Sequence, residues 1–158
     1  MKIKVFALLM IIASMAFALD SLNMNLIGRA LHGHCFTVQI DGDYAYAGAG
    51  EQFRIVNLSD MDSLIVAGYC YVHGTINDIV KSGDVAYVAT NKGLYIIDVS
   101  LPGSPAEISR ITGMNCISVF YSDSTVYLAC GDEGVRIIDV TDLSSPVEIG
   151  LQLMGHGI

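Results

Sequence analysis

The stretch NKGLYIIDVSLPGSPAE, from Asn91 to Glu107, occurs a second time as DEGVRIIDVTDLSSPVE, from Asp132 to Glu148. Both copies contain an apolar run, an aspartate and a Ser-Pro pair, in the same order and at the same spacing. The two copies are 41 residues apart. A third, degenerate copy, EQFRIVNLSDMDSLI, lies one such interval closer to the N-terminus. Self-similarity at a fixed interval is typical of repeat proteins, so the chain is interpreted as three copies of one structural unit.

Each unit is predicted to contain four short strands. In the second copy these lie at residues 76–80, 85–89, 94–99 and 106–111, separated by turns rich in Gly, Pro, Asp and Ser. β-Branched and aromatic residues dominate the strands, and helical periodicity is absent outside the N-terminal segment. Four strands in about 40 residues is the size of a propeller blade, so we predict an all-β fold of four-stranded antiparallel β-propeller blades.

The repeated segments resemble a known family. GLYIIDVS and GVRIIDVTD, each followed by a Ser-Pro pair, together with the upstream GDVAYVA, resemble the LVIVD-repeat family of bacterial β-propellers over residues 26–152. The first copy departs from the pattern, with Asn57 in place of the aspartate and no Ser-Pro pair. The resemblance implies a propeller with an exported or surface location, and it implies no single activity.

The phase of the copies sets the predicted domain boundaries. Blades are predicted at residues 31–70, 71–112 and 113–152, and residues 153–158 would begin a fourth blade. An orphan outer strand is predicted within residues 19–30, because Gly28 lies one repeat interval before Gly68. Rings usually need about four or more blades. We therefore expect part of a longer protein, an open arc of three blades, or an assembly of chains.

The N-terminus has the pattern of a secretory signal peptide. Lys2 and Lys4 precede an apolar run from Val5 to Ala18 that ends in Ala-Phe-Ala, so residues 1–18 are predicted to direct export to the periplasm, cell surface or medium. The run is shorter than the roughly 20 residues that span a bilayer, and no stable membrane span is predicted. Without residues 1–18, six Lys and Arg face sixteen Asp and Glu, a formal charge of −10. So few scattered cations argue against a nucleic-acid partner.

Two aspartates recur at the end of the third strand of their unit. Asp98 and Asp139 are interpreted as structural turn caps, whose carboxylates bind backbone amides of the following turn. The alternative is a Ca²⁺ site that includes Asp142, since Ca²⁺ takes several oxygen ligands. Recurrence in successive units favours the structural interpretation.

Histidines and amides mark the candidate ligand-binding site. His32 and His34 form an H-x-H pair, and His73 lies one repeat interval after His32. In a propeller these segments lead into the innermost strands, so the side chains would lie at one end of the central channel. The three histidines are weak candidates for a Zn²⁺ site, and loop histidines without metal are the commoner outcome. The candidate ligand-binding residues are His32, His34, His73, Asn77 and Asn115, in lead-in loops that include Gly33 and Gly113. Asp78 joins these channel residues only in the alternative that the protein is an enzyme.

Four cysteines in an exported chain suggest disulfides. Cys35 and Cys116 occupy equivalent innermost-strand positions. Cys116 and Cys130 would be cross-strand neighbours if the intervening loop comprised the three residues 122–124. A Cys116–Cys130 disulfide is therefore possible, and buried free thiols are the alternative.

The leading functional hypothesis is a non-catalytic binding or scaffolding module with a protein or glycan partner, completed by further blades or other copies. No cofactor is predicted, and no G-x-S-x-G, phosphate-loop or H-E-x-x-H motif assigns a catalytic residue. One alternative is a propeller enzyme of the periplasmic hydrolase or lactonase kind. Another is a purely structural repeat whose open edge pairs with other chains. Function is expected where the copies differ, at His73 against Gly113 and at Thr90-Asn91 against Cys130-Gly131-Asp132.

Overall fold

A computed structural model describes residues 34–153. The predicted signal peptide, the predicted outer strand within residues 19–30, His32, Gly33 and residues 154–158 lie outside the described residues. Within residues 34–153 no helix is long and apolar enough to cross a membrane.

Twelve strands in the described residues form three four-stranded antiparallel sheets, with neighbouring strands paired in chain order. Blade 1 contains β1 (Cys35–Asp41), β2 (Tyr44–Ala49), β3 (Gln52–Asn57) and β4 (Ile65–Tyr71). Blade 2 contains β5 (Ile76–Ser82), β6 (Val85–Thr90), β7 (Gly93–Asp98) and β8 (Ala106–Thr112). Blade 3 contains β9 (Ser118–Ser122), β10 (Thr125–Ala129), β11 (Val135–Asp139) and β12 (Val147–Gln152). The prediction of an all-β fold with four strands per repeat is confirmed.

The hairpin between β9 and β10 is tighter than expected. Ser122 pairs with Thr125, so the loop has two residues rather than the three considered from the sequence. Both loop residues have positive φ, 48° at Asp123 and 63° at Ser124. Two-residue turns of this kind match the twist of the flanking strands, and aspartate tolerates the left-handed conformation.

Each blade has two apolar faces. We call the side that packs on the following blade the leading face and the side that packs on the preceding blade the trailing face. Between blades 2 and 3, Leu94 and Ile96 of the leading face are buried against Leu128 and Ile138 of the trailing face. Side chains alternate along a strand, so a strand covered on both sides must be apolar at nearly every position. This explains the continuous run Leu94-Tyr95-Ile96-Ile97 seen in the sequence.

The repeated Ser-Pro turn packs on the neighbouring blade. In blade 2 the turn from Leu101 to Pro105 lies on the outer strand of blade 1, where a Cβ at Gly68 would meet the Pro102 carbonyl and would lie 2.8 Å from Pro105 Cδ. In blade 3 the corresponding turn accepts a hydrogen bond at the Leu143 carbonyl from Ser109 Oγ of blade 2. The turn therefore fastens each blade to the one before it.

We expect Gly68→Ala to destabilise the chain, because the added methyl group would collide with backbone that cannot move independently. The expected loss is about 1–3 kcal/mol, measured by urea unfolding. Gly103→Ala is the matched control, since a Cβ there would have only Ala67 O nearby, at 3.8 Å. Equal stability of the two variants would show that the Ser-Pro turn does not pack on blade 1.

Candidate functional site

A cleft of about 320 Å³ lies between blades 2 and 3, where the segments leading into β5 and β9 meet the turn between β6 and β7. It is lined by His73, Asn91, Lys92, Thr112, Gly113, Met114 and Asn115. Four residues singled out from the sequence thus share one site: His73, Asn91, Gly113 and Asn115. Lys92 was not identified as a candidate from the sequence. It could have been found because it follows Thr90-Asn91, where the copies differ.

A buried threonine shapes the wall of the cleft. The Thr90 side chain is fully buried, and its hydroxyl lies 3.0 Å from the Gly93 carbonyl and 3.3 Å from the His73 carbonyl. The same oxygen accepts a hydrogen bond from Lys92 N at 3.1 Å. One side chain therefore holds both the turn and the lead-in to β5. Blade 3 has Cys130 at the equivalent position, so this arrangement belongs to blade 2.

The charge of the cleft differs from that of the chain. The formal net charge of the whole chain is −8, but the seven lining residues include no carboxylate. Lys92 is exposed and forms no ion pair within residues 34–153, whereas Lys81 Nζ lies 2.6 Å from Asp41 Oδ2. The cleft therefore presents an uncompensated ammonium group together with amide and imidazole groups.

Other candidate residues lie elsewhere. Asn77 Nδ2 donates a hydrogen bond to the Cys116 carbonyl at 2.7 Å, and Asp78 is bound to neighbouring strands. His34 is exposed and stacks on Phe36 with ring centroids 6.2 Å apart. Within the described residues no group of three or more His, Cys, Asp or Glu side chains could hold a metal ion. The zinc hypothesis, which includes His32, stays a prediction.

The recurrent aspartates lie against their own turns. Asp98 Oδ1 accepts a hydrogen bond from Ser100 N, and Asp139 Oδ1 accepts one from Thr141 N, each at 2.8 Å. Hydrogen bonds from the side chain and backbone of Ser100 lower the pKa of Asp98, and those of Thr141 do the same for Asp139. This is the geometry that turn capping requires, and each carboxylate is engaged locally.

Cys116 and Cys130 meet in the core below the cleft. Their sulfur atoms are 3.7 Å apart, and both side chains are buried. In blade 2 the equivalent Ile76 and Thr90 are register partners, because a bulge shifts the pairing between Ile76 and Asp78. Cys116 and Cys130 occupy these two positions in blade 3 and likewise lie side by side, on the segments that flank β9 and β10. Burial raises the pKa of both thiols, so the folded pair holds little of the reactive thiolate.

The repeats match the family model described as the LVIVD repeat at residues 32–72, 73–112 and 118–152. The chain belongs to the LVIVD repeat family. The search of curated proteins found no match. Each LVIVD repeat here supplies one blade, and the cleft lies where the second repeat adjoins the third.

Three solved structures are similar to this LVIVD-repeat chain. The β-propeller domain of Myceliophteria thermophila Cps50 (Swd1) has a TM-score of 0.66 at 16% identity, over 78% of this chain and 41% of that one. The computationally designed protein Ika8 has a TM-score of 0.59 at 11% identity, over 73% and 36%. The N-terminal domain of Nup159 has a TM-score of 0.55 at 13% identity, over 77% and 35%. At these identities the similarity shows the propeller fold alone, and the chain spans less than half of each structure.

Under oxidising conditions a disulfide is expected to form between Cys116 and Cys130, whose sulfur atoms lie 3.7 Å apart. Because both thiols are buried in the folded chain, the oxidant that forms the disulfide would have to reach them before folding is complete. The measurement is peptide mapping of protein alkylated in denaturant without reductant. We expect a linked Cys116–Cys130 peptide pair. Reduction of this disulfide should lower the free energy of unfolding by about 2–3 kcal/mol. Alkylation of both cysteines in protein made under oxidising conditions would contradict the prediction.

Proposed function

We propose that this LVIVD-repeat chain is a non-catalytic binding module that acts in the periplasm or at the cell surface and holds an anionic group of its partner in the cleft. The observation that carries the proposal is Lys92, whose ammonium group has no ion pair within residues 34–153 and borders a cleft without carboxylates. The signal-peptide pattern of residues 1–18 supports the location.

The size of the cleft favours part of a larger partner over a complete small molecule. Its volume of about 320 Å³ is at the lower end of the range for small-molecule sites. An exposed ion pair contributes about 1 kcal/mol or less, so Lys92 alone would not give useful affinity. A carboxylate that also met Asn115 and His73 would gain further hydrogen bonds. An acidic side chain of a protein or a sugar acid of a glycan has this chemistry.

The chemistry of the lining supports binding rather than turnover. Covalent catalysis needs a nucleophile within hydrogen-bonding reach of a base. Within residues 34–153 the His73 imidazole makes no hydrogen bond to a hydroxyl or thiol, and the cleft contains no pair of carboxylates. Its polar groups are a cation, two amides, an imidazole and a hydroxyl, which can hold an anion in place.

The test compares binding of the chain to poly-L-glutamate, polygalacturonate and neutral dextran at about 0.15 M salt, where repulsion between the acidic chain and the acidic polymers is largely screened. We expect the two acidic polymers to bind and dextran not to bind. Lys92→Ala should weaken binding about fivefold, the equivalent of about 1 kcal/mol. Arg110→Ala is the matched control, because it removes the same charge from an exposed position outside the cleft.

Two results would contradict the proposal. One is equal binding of the three polymers. The other is an equal effect of Lys92→Ala and Arg110→Ala, which would show that net charge rather than the cleft controls binding. Binding of one acidic polymer alone would identify the partner as protein-like or glycan-like.

A further inference from the structure

The turn between β3 and β4 contains the only Asn-X-Ser/Thr sequence of the chain, Asn57-Leu58-Ser59. In exported proteins this sequence is the acceptor of N-linked glycans, provided that the middle residue is not proline. The binding activity proposed for the cleft does not involve it. A motif of three residues is significant only where the structure makes its side chains accessible, so its geometry decides the matter.

The motif arises from one substitution in a repeated turn. Asn57 stands where the other two repeats have Asp98 and Asp139. In all three repeats a serine or threonine follows two residues later: Ser59, Ser100 and Thr141. An aspartate cannot take a glycan in this way, because its carboxylate has no nitrogen. The spacing of the acceptor motif therefore occurs three times, and the acceptor nitrogen occurs in blade 1 alone.

The turn of blade 1 has the same geometry as the turns that aspartate caps. Asn57 Oδ1 accepts a hydrogen bond from Ser59 N at 2.8 Å, the distance also found for the two capping aspartates. Leu58 N donates to the Asp43 carbonyl at 2.8 Å, and the equivalent backbone bonds of blades 2 and 3 measure 2.8 and 2.9 Å. An amide oxygen therefore caps this turn as a carboxylate caps the others. The substitution keeps the turn and adds a side-chain nitrogen.

That nitrogen is accessible. Within residues 34–153, Asn57 Nδ2 donates no hydrogen bond, because only the oxygen of the amide is held against the turn. Asn57 is partly exposed, and Ser59 is exposed. This exposure does not depend on the number of blades, since Ser100 is equally classed as exposed in blade 2, which has a blade on each side.

We propose that Asn57 is a site of N-linked glycosylation. The donor is a lipid-linked oligosaccharide, and the catalyst is an oligosaccharyltransferase specific for Asn-X-Ser/Thr. Asn57 Nδ2 attacks the anomeric carbon of the first sugar, and a carbon–nitrogen bond forms as the bond from that carbon to the pyrophosphate oxygen breaks. One Nδ2 proton passes to a base of the transferase, and the lipid pyrophosphate leaves. The proposal rests on the proposed export of the chain and is independent of the ligand in the cleft.

A glycan on Asn57 would leave the cleft open. Asn57 lies at the end of β3, whereas the cleft borders the turn that begins β7. These third strands of blades 1 and 2 have six residues each, a length of about 20 Å, and the two turns lie at opposite ends of that length. Because a glycan is bulky and hydrophilic, we expect it to shield this end of blade 1.

The test is cell-free translation of the full chain with microsomes that contain the oligosaccharyltransferase. Protection from added protease reports export, and a mass increase that peptide-N-glycosidase removes reports the glycan. We expect the protected chain to carry one glycan. Its enzymatic removal should leave an aspartate at position 57, identified by mass spectrometry of the peptide.

Four variants separate the motif from the turn. Ser59→Ala removes the hydroxyl but keeps the backbone bond to Asn57, and Asn57→Asp restores the residue type of the other repeats. Both should fold and lose the glycan, whereas Ser59→Thr should keep it. Asp98→Asn creates the motif in blade 2, where we expect a second glycan because the turn has the same geometry.

The possible failures are distinguishable. A protected chain without a glycan would overturn the proposal and leave the proposed location intact. A glycan that persists in Ser59→Ala or Asn57→Asp would overturn it as well, and a single glycan on Asp98→Asn would contradict the argument from the shared turn. A chain that stays sensitive to protease would contradict the proposed export, and glycosylation at Asn57 would be overturned with it.

Discussion

The carboxylate of Asp78 connects all three blades. It lies on the innermost strand of blade 2, where one oxygen accepts hydrogen bonds from Ser118 Oγ at 2.6 Å and Val119 N at 3.0 Å of blade 3. The other oxygen lies 3.3 Å from Thr37 Oγ1 of blade 1. Thr37, Asp78 and Ser118 are equivalent positions of successive repeats. Apolar packing between blades is non-directional, so these directed bonds define how far one blade can slide on the next.

The candidate site depends on this alignment. One wall of the cleft belongs to blade 2 and the other to the segment that leads into blade 3. Backbone bonds continue the connection made by Asp78, since Cys116 N donates to the Thr90 carbonyl at 3.0 Å. The loops at the cleft can therefore vary in sequence while the strands beneath them keep their places. This is how repeat proteins place function on loops over a shared scaffold.

The repeat interval made the strands predictable. It predicted all four strands of blade 2 closely, because a strand covered on both sides must be apolar along its length and must end at turn residues. Contacts between blades were not predictable in the same way. Asp78 was considered only as a channel residue, and its role arises from neighbours that lie one repeat away on either side. Lys92 became a candidate only when the structure showed that no carboxylate lines the cleft.

Urea unfolding of Asp78→Asn tests most directly whether these bonds hold the blades as one unit. The amide keeps the size of the side chain but loses its charge and one acceptor. We predict a single unfolding transition with stability lowered by about 2–3 kcal/mol, the range for hydrogen bonds to a charged group. The control is Asp132→Asn, at an exposed residue that makes no hydrogen bond or ion pair within residues 34–153. Equal stability of the two variants would contradict the account.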